Sequence, residues 1–218
     1  MRPLASIVFV TVGTTKFDEL IQAVDHQAMA DALVARGYTR LVMQIGKGDY
    51  KPHRLFPANS RVGQLHNGLA VEYFEFSPSL AEHLEGADLV ISHAGERAGR
   101  GPPSRLPVDA SPPWAADHPA LGPHGLKTPP SLPPSCAGAG SVFETLRLGR
   151  PLIAVANPIL MDNHQAELAD KLDRMRHLFA ATTASLVEVV EGMDVCKLVP
   201  YAKGDPSGIA LGIDRLVQ

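Results

Sequence analysis

Short apolar runs alternate along this chain with stretches in which apolar residues recur every three or four positions. The runs are rich in β-branched residues and predict buried parallel strands. They cover residues 6–12, 40–45, 70–76, 87–92, 151–156 and, less regularly, 177–181. The helical spacing covers residues 17–36, 79–85, 142–149, about 161–175, 186–191 and 207–218. This alternation predicts an α/β fold, a Rossmann-like doubly wound parallel sheet.

One segment, residues 96–138, interrupts the pattern. It holds eleven of the chain's 19 prolines and its single tryptophan, Trp114, and it has no hydrophobic periodicity. A loop of this length without secondary structure is unusual inside a compact domain. The sequence therefore predicts one domain over residues 1–218, interrupted by a disordered proline-rich insertion at 96–138.

Composition narrows the function mainly by exclusion. The net charge is −3 and the pI is about 6.3, so we expect no nucleic-acid partner. The two cysteines, Cys136 and Cys196, form neither a disulfide framework nor a zinc motif, which favours a reducing compartment. The apolar run at residues 4–12 is interpreted as a buried first strand and not as a signal peptide, and no run is long enough to span a membrane.

The polar motifs of the chain all follow predicted strands or open predicted helices. They are Gly13-Thr14-Thr15, His93-Ala94-Gly95, Ala139-Gly140-Ser141 and Asn163-His164-Gln165. Ligands of open parallel sheets bind at the carboxyl ends of the strands. The shared position of these motifs therefore predicts a ligand site at that edge.

The first motif, Gly13-Thr14-Thr15, is a turn between a strand and a helix. Backbone N–H groups and threonine hydroxyls in such a turn can bind a phosphate. The same turn is also compatible with an ordinary loop, and it lacks the glycine spacing of both the dinucleotide fingerprint and the P-loop.

Removing the insertion joins Gly95 to Ala139 and creates a glycine-rich loop that opens a helix. Small residues there allow close approach to a diphosphate, and Glu144 in the first turns can accept hydrogen bonds from both hydroxyls of a ribose. The alternative is that this glutamate only complements the helix dipole.

Two further groups could contact a sugar nucleotide. Asn163, His164 and Gln165 offer donors and acceptors for sugar hydroxyls and an acetamido group, with helix capping as the alternative. Phe74 and Phe76, at the end of the third predicted strand, could stack on a base or pack in the core.

Several stretches carry a specific family resemblance. They are IVFVTVGTTKFDELI, GYTRLVMQIGKG, ADLVISHAG, AGAGSVFETLRLGRPLIAVANPILMDNHQAELADKL and HLFAATTASL. They resemble the catalytic subunit of the eukaryotic UDP-N-acetylglucosamine transferase of asparagine-linked glycosylation. More distantly, they are similar to the donor-binding half of the bacterial glycosyltransferase that forms lipid II.

The resemblance implies the donor-binding half of a split GT-B glycosyltransferase that binds UDP-N-acetylglucosamine. It implies a membrane-anchored partner that supplies the acceptor-side domain, a dolichol-diphosphate-linked acceptor, and a location in the cytoplasm and on the cytosolic face of the endoplasmic reticulum. It implies inversion at the anomeric carbon, with neither a metal nor another cofactor.

Residue by residue, the resemblance assigns Glu144 to the ribose and His164 and Gln165 to the sugar, and the Gly13-Thr14-Thr15 and Ala139-Gly140-Ser141 loops would face the diphosphate. Gly95, Asn163 and Phe76 are further donor-binding candidates from their positions in the sequence alone. His93 is a candidate catalytic residue, and the base that activates the acceptor is otherwise unassigned.

The insertion leaves two questions open. Its borders resemble translated splice sites, which leads to the hypothesis of a retained intron, with a lineage-specific surface loop as the alternative. A chain interrupted here could also be a noncatalytic nucleotide-sugar-binding or partner-docking variant. A dinucleotide-dependent oxidoreductase is a third possibility that the absent GxGxxG motif disfavours.

Overall fold

The computed structural model describes residues 6–77, 79–94, 140–156 and 163–201. For Gly140 and residues 163–168 it describes the backbone only. The whole predicted insertion and the helical pattern at residues 207–218 lie outside the described residues.

Seven strands within these ranges form one sheet in the order β3-β4-β2-β1-β5-β6-β7. The strands are β1 (Ile7–Thr11), β2 (Arg40–Gln44), β3 (Val62–Gln64), β4 (Ala70–Phe74), β5 (Leu89–His93), β6 (Leu152–Val155) and β7 (Phe179–Ala181). The helices are α1 (Asp18–Val24), α2 (Gln27–Ala35), α3 (Ala81–Gly86), α4 (Gly140–Arg147), α5 (Asn163–Arg174) and α6 (Leu186–Gly192). A short 3₁₀ helix covers Val195–Lys197. All neighbouring strands pair in parallel except β3, which pairs antiparallel to β4.

Alternate residues of the central strands pack against helices on the two faces of the sheet. Val8 and Val10 of β1 belong to a cluster with residues of α1, α2 and α6. Phe9, between them, belongs to a second cluster with residues of α3, α4 and α5. Because both faces are covered, the strands are apolar throughout, as the sequence predicts for a doubly wound parallel sheet. This fold prediction is confirmed.

The predicted single helix over residues 17–36 is wrong, because two helices, α1 and α2, meet at Asp25. The Asp25 side chain is buried and accepts hydrogen bonds from the backbone N–H groups of His53, Arg54 and Leu55 and from the Tyr50 hydroxyl. Burial, together with this bond to the carboxylate, raises the pKa of Tyr50 to about 12. The break between the two helices thus coincides with Asp25, whose carboxylate is hydrogen-bonded to the loop after β2.

The sequence also misses strand β3. It lies between β2 and β4, where the sequence has no hydrophobic periodicity, and it is only three residues long with Val62 and Gln64 exposed. A short edge strand buries too little surface to produce a periodic signal.

The strand order reverses direction beside β1. The chain moves from β1 to β2 and β4 on one side, and then returns to place β5 on the other side of β1. Ligands of doubly wound sheets bind where the order reverses, outside the carboxyl ends of the strands. Here that point lies between the ends of β1 and β5, immediately before Gly13 and at His93.

Candidate functional site

A buried glutamine organises the carboxyl ends of β1, β2 and β4. Gln44, the last residue of β2, accepts hydrogen bonds through Oε1 from the Thr11 hydroxyl (2.7 Å) and the Gly13 N–H (2.8 Å). Its Nε2 donates to the backbone carbonyls of Gly13 (2.7 Å) and Glu75 (2.8 Å). Both donors and the acceptor of this carboxamide are therefore satisfied inside the protein.

This arrangement corrects part of the proposed phosphate cradle at Gly13-Thr14-Thr15. The Gly13 N–H is directed at Gln44, and the Thr15 N–H donates to the carbonyl of Val12 (3.1 Å). Helix α1 also begins only at Asp18, so the turn is not its first turn. In this conformation the two amides stabilise the loop itself, and the exposed Thr14 and the half-buried Thr15 side chain remain on its surface.

A second glycine, Gly46, brings the loop after β2 against this turn. Its φ is +62°, and a β-carbon added there would lie 2.8 Å from the Thr15 carbonyl oxygen and 2.9 Å from that of Gly13. Its N–H donates to the Glu75 carbonyl (3.1 Å). Only glycine combines this conformation with this proximity to backbone.

On the other side of β1, hydroxyl groups join β5 to the start of α4. The buried Ser92 and the half-buried Ser141 share a hydrogen bond between their Oγ atoms (2.8 Å), and the Thr145 hydroxyl donates to the Ser141 carbonyl (2.6 Å). The prediction that Ser141 lies at the opening of a helix beside the end of β5 is thus supported by direct contact.

His93, the last residue of β5, lies against the first loop. A β-carbon added at Gly13 would be 3.7 Å from His93 Cε1. The side chain is 7% exposed, and its Nδ1 is buried with no hydrogen-bond partner among the described residues. Burial lowers the pKa of His93 below the ordinary 6.5, which favours the neutral ring. A buried polar atom without a partner costs about 1–3 kcal/mol, which makes this atom the least satisfied point of the site.

The two phenylalanines at the end of β4 differ in environment. Phe74 packs in the core, where its ring stacks with His83 (4.9 Å between centroids) and lies 6.4 Å from Phe9. Phe76 is 51% exposed and follows Glu75, whose carbonyl is bound by Gln44 and Gly46. Of the two, only Phe76 is free of the core to contact a ligand.

The remaining predicted site residues are described to different extents. Glu144 is exposed on α4, three residues after Ser141. The backbones of Asn163, His164 and Gln165 form the first residues of α5. Gly140 begins α4, while Gly95 and Ala139 lie outside the described residues. Predicted residues from β1, β4, β5 and α4 therefore lie at one edge of the sheet, joined through contacts the sequence did not reveal.

Sequence reasoning missed the roles of Gln44, Gly46 and Ser92, and the bond between Thr11 and Gln44. A signal was present, because Thr11, Gln44 and Ser92 are polar residues at the ends of otherwise apolar strands. A buried polar side chain in that position needs a hydrogen-bond partner, and it therefore indicates a hydrogen-bond network at the ends of the strands. The described part of the chain contains no group of three or more histidine, cysteine, aspartate or glutamate residues arranged for a metal ion, and no helix long and apolar enough to cross a membrane.

Comparison with known proteins places the chain in a family. The model of the glycosyltransferase family 28 C-terminal domain matches residues 7–98 and 135–216. The unmatched residues between these blocks lie within the predicted insertion. The match excludes the oxidoreductase interpretation.

Curated relatives share the same name. The UDP-N-acetylglucosamine transferase subunit ALG13 of Homo sapiens is 34% identical over 175 residues, covering 80% of this chain but 11% of the human protein. The subunit of the same name from Saccharomyces cerevisiae is 26% identical and is covered over 87% of its length. The chain thus spans about a tenth of its human relative and most of its yeast relative.

Solved structures agree on the fold. A solution NMR structure of ALG13 superposes with a TM-score of 0.56 at 22% identity, covering 95% of this chain and 94% of that one. The crystal structure of MurG from Acinetobacter baumannii gives 0.50 at 17% identity, covering 90% of this chain and 43% of that one. With the family model matching most of its length, this chain belongs to the glycosyltransferase family 28 C-terminal domains.

Proposed function

We propose that this chain binds UDP-N-acetylglucosamine and forms the donor-binding half of a transferase in asparagine-linked glycosylation. Its relatives are named as UDP-N-acetylglucosamine transferase subunits, and one of them is matched over most of its length. The proposed acceptor is N-acetylglucosaminyl-diphosphodolichol, as the family resemblance implies.

The observation that carries the proposal is the position of His93. It ends β5 at the reversal of strand order, its Nδ1 has no partner among the described residues, and the Gly13 loop lies beside it. A phosphate oxygen of the donor would accept a hydrogen bond from Nδ1–H of the neutral ring. This role suits a buried imidazole of lowered pKa better than the role of acceptor base.

The other predicted site residues would each contact a different part of the donor. Ser141 at the start of α4 would lie near the diphosphate, where the helix dipole favours negative charge. The exposed carboxylate of Glu144 would accept hydrogen bonds from the ribose hydroxyls, and the exposed ring of Phe76 would stack on the uracil. Asn163, His164 and Gln165, at the start of α5, would bind the sugar.

In the proposed reaction, the acceptor hydroxyl oxygen attacks the anomeric carbon of N-acetylglucosamine. The bond from that carbon to the β-phosphate oxygen breaks, and UDP leaves with the electron pair. The hydroxyl proton passes to a base that is not assigned in this chain. Backbone amides and the α4 dipole would stabilise the charge that develops on UDP.

A membrane-anchored partner would supply the acceptor-side domain. The word subunit in the names of the relatives supports a multi-component enzyme. We propose that this partner brings the chain to the cytosolic face of the endoplasmic reticulum.

A transfer assay with Glu144 variants tests the proposed function. The chain is co-expressed with the membrane subunit, and transfer of N-acetylglucosamine to the lipid acceptor is measured. Glu144→Gln weakens the charge-assisted bonds to the ribose and is expected to reduce kcat/KM for the donor about tenfold, or about 1.4 kcal/mol. Glu188→Gln, at an exposed position in α6 on the opposite face of the sheet from α4, is the matched control. A wild-type complex without transfer activity would contradict the proposal.

The insertion provides a second test. Residues 96–138 separate His93 from Ser141, two groups proposed to contact the diphosphate. Long loops add little closure entropy, so we expect the fold to tolerate the segment and donor binding to suffer from it. Calorimetric titration with UDP-N-acetylglucosamine should show tighter binding by the chain lacking residues 96–138. Equal affinities would show that the insertion does not disturb the site.

A further inference from the structure

We infer that Gln44 is a positioning residue of the donor site. It fixes the loop at Gly13, on the side proposed for the diphosphate, relative to the segment Glu75-Phe76, on the side proposed for the base. The inference rests on the proposed function and extends it to a residue that would not touch the donor. Gln44 is 2% exposed, and its carboxamide is the common partner of the two segments.

The geometry of the carboxamide explains why it must be glutamine. Oxygen Oε1 accepts from the Gly13 N–H, while Nε2 donates to the Gly13 carbonyl, so the same side chain binds glycine on both sides of its α-carbon. No other side chain of this length offers an acceptor and two donors at one end. The Gly13 loop is thereby fixed beside His93.

The second donor bond extends this control to β4. Nε2 also binds the carbonyl of Glu75, the residue before the exposed Phe76. The neighbouring Gly46 N–H donates to the same carbonyl (3.1 Å), and the Ile45 N–H donates to the carbonyl of Phe74 (2.9 Å). The last residues of β2 therefore hold both the loop that faces the phosphates and the segment that carries the proposed base contact.

Gln44→Glu tests this inference because it retains the shape of the side chain, while it replaces the donor Nε2 with an acceptor oxygen and adds a negative charge. At pH 8 a carboxylate would face two carbonyl oxygens, so we expect the Kd for UDP to rise at least tenfold. In the transfer assay, the KM for the donor should rise more than kcat falls, since Gln44 does not contact the reacting atoms. Burial and the carbonyls raise the pKa of this introduced carboxyl, so lowering the pH protonates it and restores one donor. The ratio of variant to wild-type Kd should therefore shrink between pH 8 and pH 6.

Two further variants complete the experiment. Gln64→Glu makes the same change at an exposed glutamine, which donates only to the Gly68 carbonyl, and should leave the Kd for UDP unchanged at both pH values. Thr11→Val removes a hydroxyl that donates to Gln44 and accepts from the Gly13 N–H (3.1 Å), and should raise the Kd about threefold. If Gln44→Glu does not fold, Thr11→Val carries the test by itself.

The outcomes are distinguishable. A full-length wild-type chain, in complex with its partner, that binds no UDP would contradict the proposed function and this inference with it. Wild-type binding together with unchanged Kd values in folded Gln44→Glu and in Thr11→Val would overturn the inference about Gln44 alone. A loss of affinity in Gln44→Glu that does not diminish at lower pH would show that the donors of the carboxamide are not what positions the loop.

Discussion

The two sides of the candidate site satisfy their polar groups in opposite ways. On the β2 side, the Gln44 carboxamide has a protein partner for every donor and for its acceptor. On the β5 side, His93 Nδ1 has no partner within the described parts of the chain. Both side chains are almost fully buried, so solvent exposure does not explain the difference.

The contrast separates side chains that hold the backbone of the site in place from side chains that are available to contact a ligand. A side chain whose hydrogen-bonding groups are all satisfied internally fixes the backbone, and its loss changes geometry. A buried group without a partner costs stability, and such costs are tolerated where a ligand repays them. By this criterion Gln44 supports the site, and His93 is the proposed contact to the donor.

The largest effect on stability is expected at Gly46, where the loop after β2 packs closely against the Gly13 loop. Gly46→Ala combines a positive φ with contacts of 2.8 and 2.9 Å to backbone carbonyl oxygens of the first loop. We expect it to lower the free energy of unfolding by about 2–4 kcal/mol, because strain and overpacking add. Urea denaturation measures this loss.

Gly68→Ala is the matched control for this substitution. Gly68 also has a positive φ, +91°, but no heavy atom lies within 4 Å of an added β-carbon. Its cost should therefore be the backbone strain alone, about 1 kcal/mol. Equal losses in the two variants would mean that contact with the Gly13 loop does not contribute.

The same distinction explains what the sequence could and could not predict. The strands at β1, β2 and β5 were predictable because both faces of the sheet are covered and the runs are apolar throughout. Gly13 and Ser141 were predictable as residues of strand-end loops. The break at Asp25 and the role of Gln44 were not, because each depends on partners about thirty residues away in sequence.

The sequence could not show which groups of the first loop are available to a ligand. Its Gly-Thr-Thr sequence indicates a phosphate-binding turn, but the Gly13 and Thr15 amides are used within the protein. A sequence motif records which groups are present, whereas their availability depends on the tertiary structure.

A smaller effect, of opposite sign on stability and binding, is expected at His93. His93→Phe retains a planar ring and removes Nδ1, which has no partner among the described residues. We expect the free energy of unfolding without donor to stay the same or rise by up to about 1 kcal/mol. The affinity for UDP should fall about tenfold, which corresponds to about 1.4 kcal/mol.

Thermal unfolding with and without UDP measures both quantities in one experiment. Ser92→Ala serves as the comparison, since it removes a hydroxyl that has a partner, Ser141, and should lower stability. If His93→Phe lost stability as Ser92→Ala does, His93 would belong to the support and the contrast between the two sides would be wrong.

The smallest effect concerns the pH dependence of stability, which isolates the burial of His93. Its pKa is lowered in the folded protein, so below pH 6.5 the unfolded chain binds a proton that the folded chain does not. This contribution to stability is present above pH 6.5 and is lost as the pH falls towards the folded-state pKa. His93→Phe should therefore lose less stability than wild type between pH 7 and pH 5, by at most about 1.4 kcal/mol per pH unit. Urea denaturation across this range, with His66→Phe as the control at an exposed histidine, measures the difference. Parallel curves for wild type and His93→Phe would mean that His93 is not desolvated, and that the β5 side is open to water rather than awaiting a ligand.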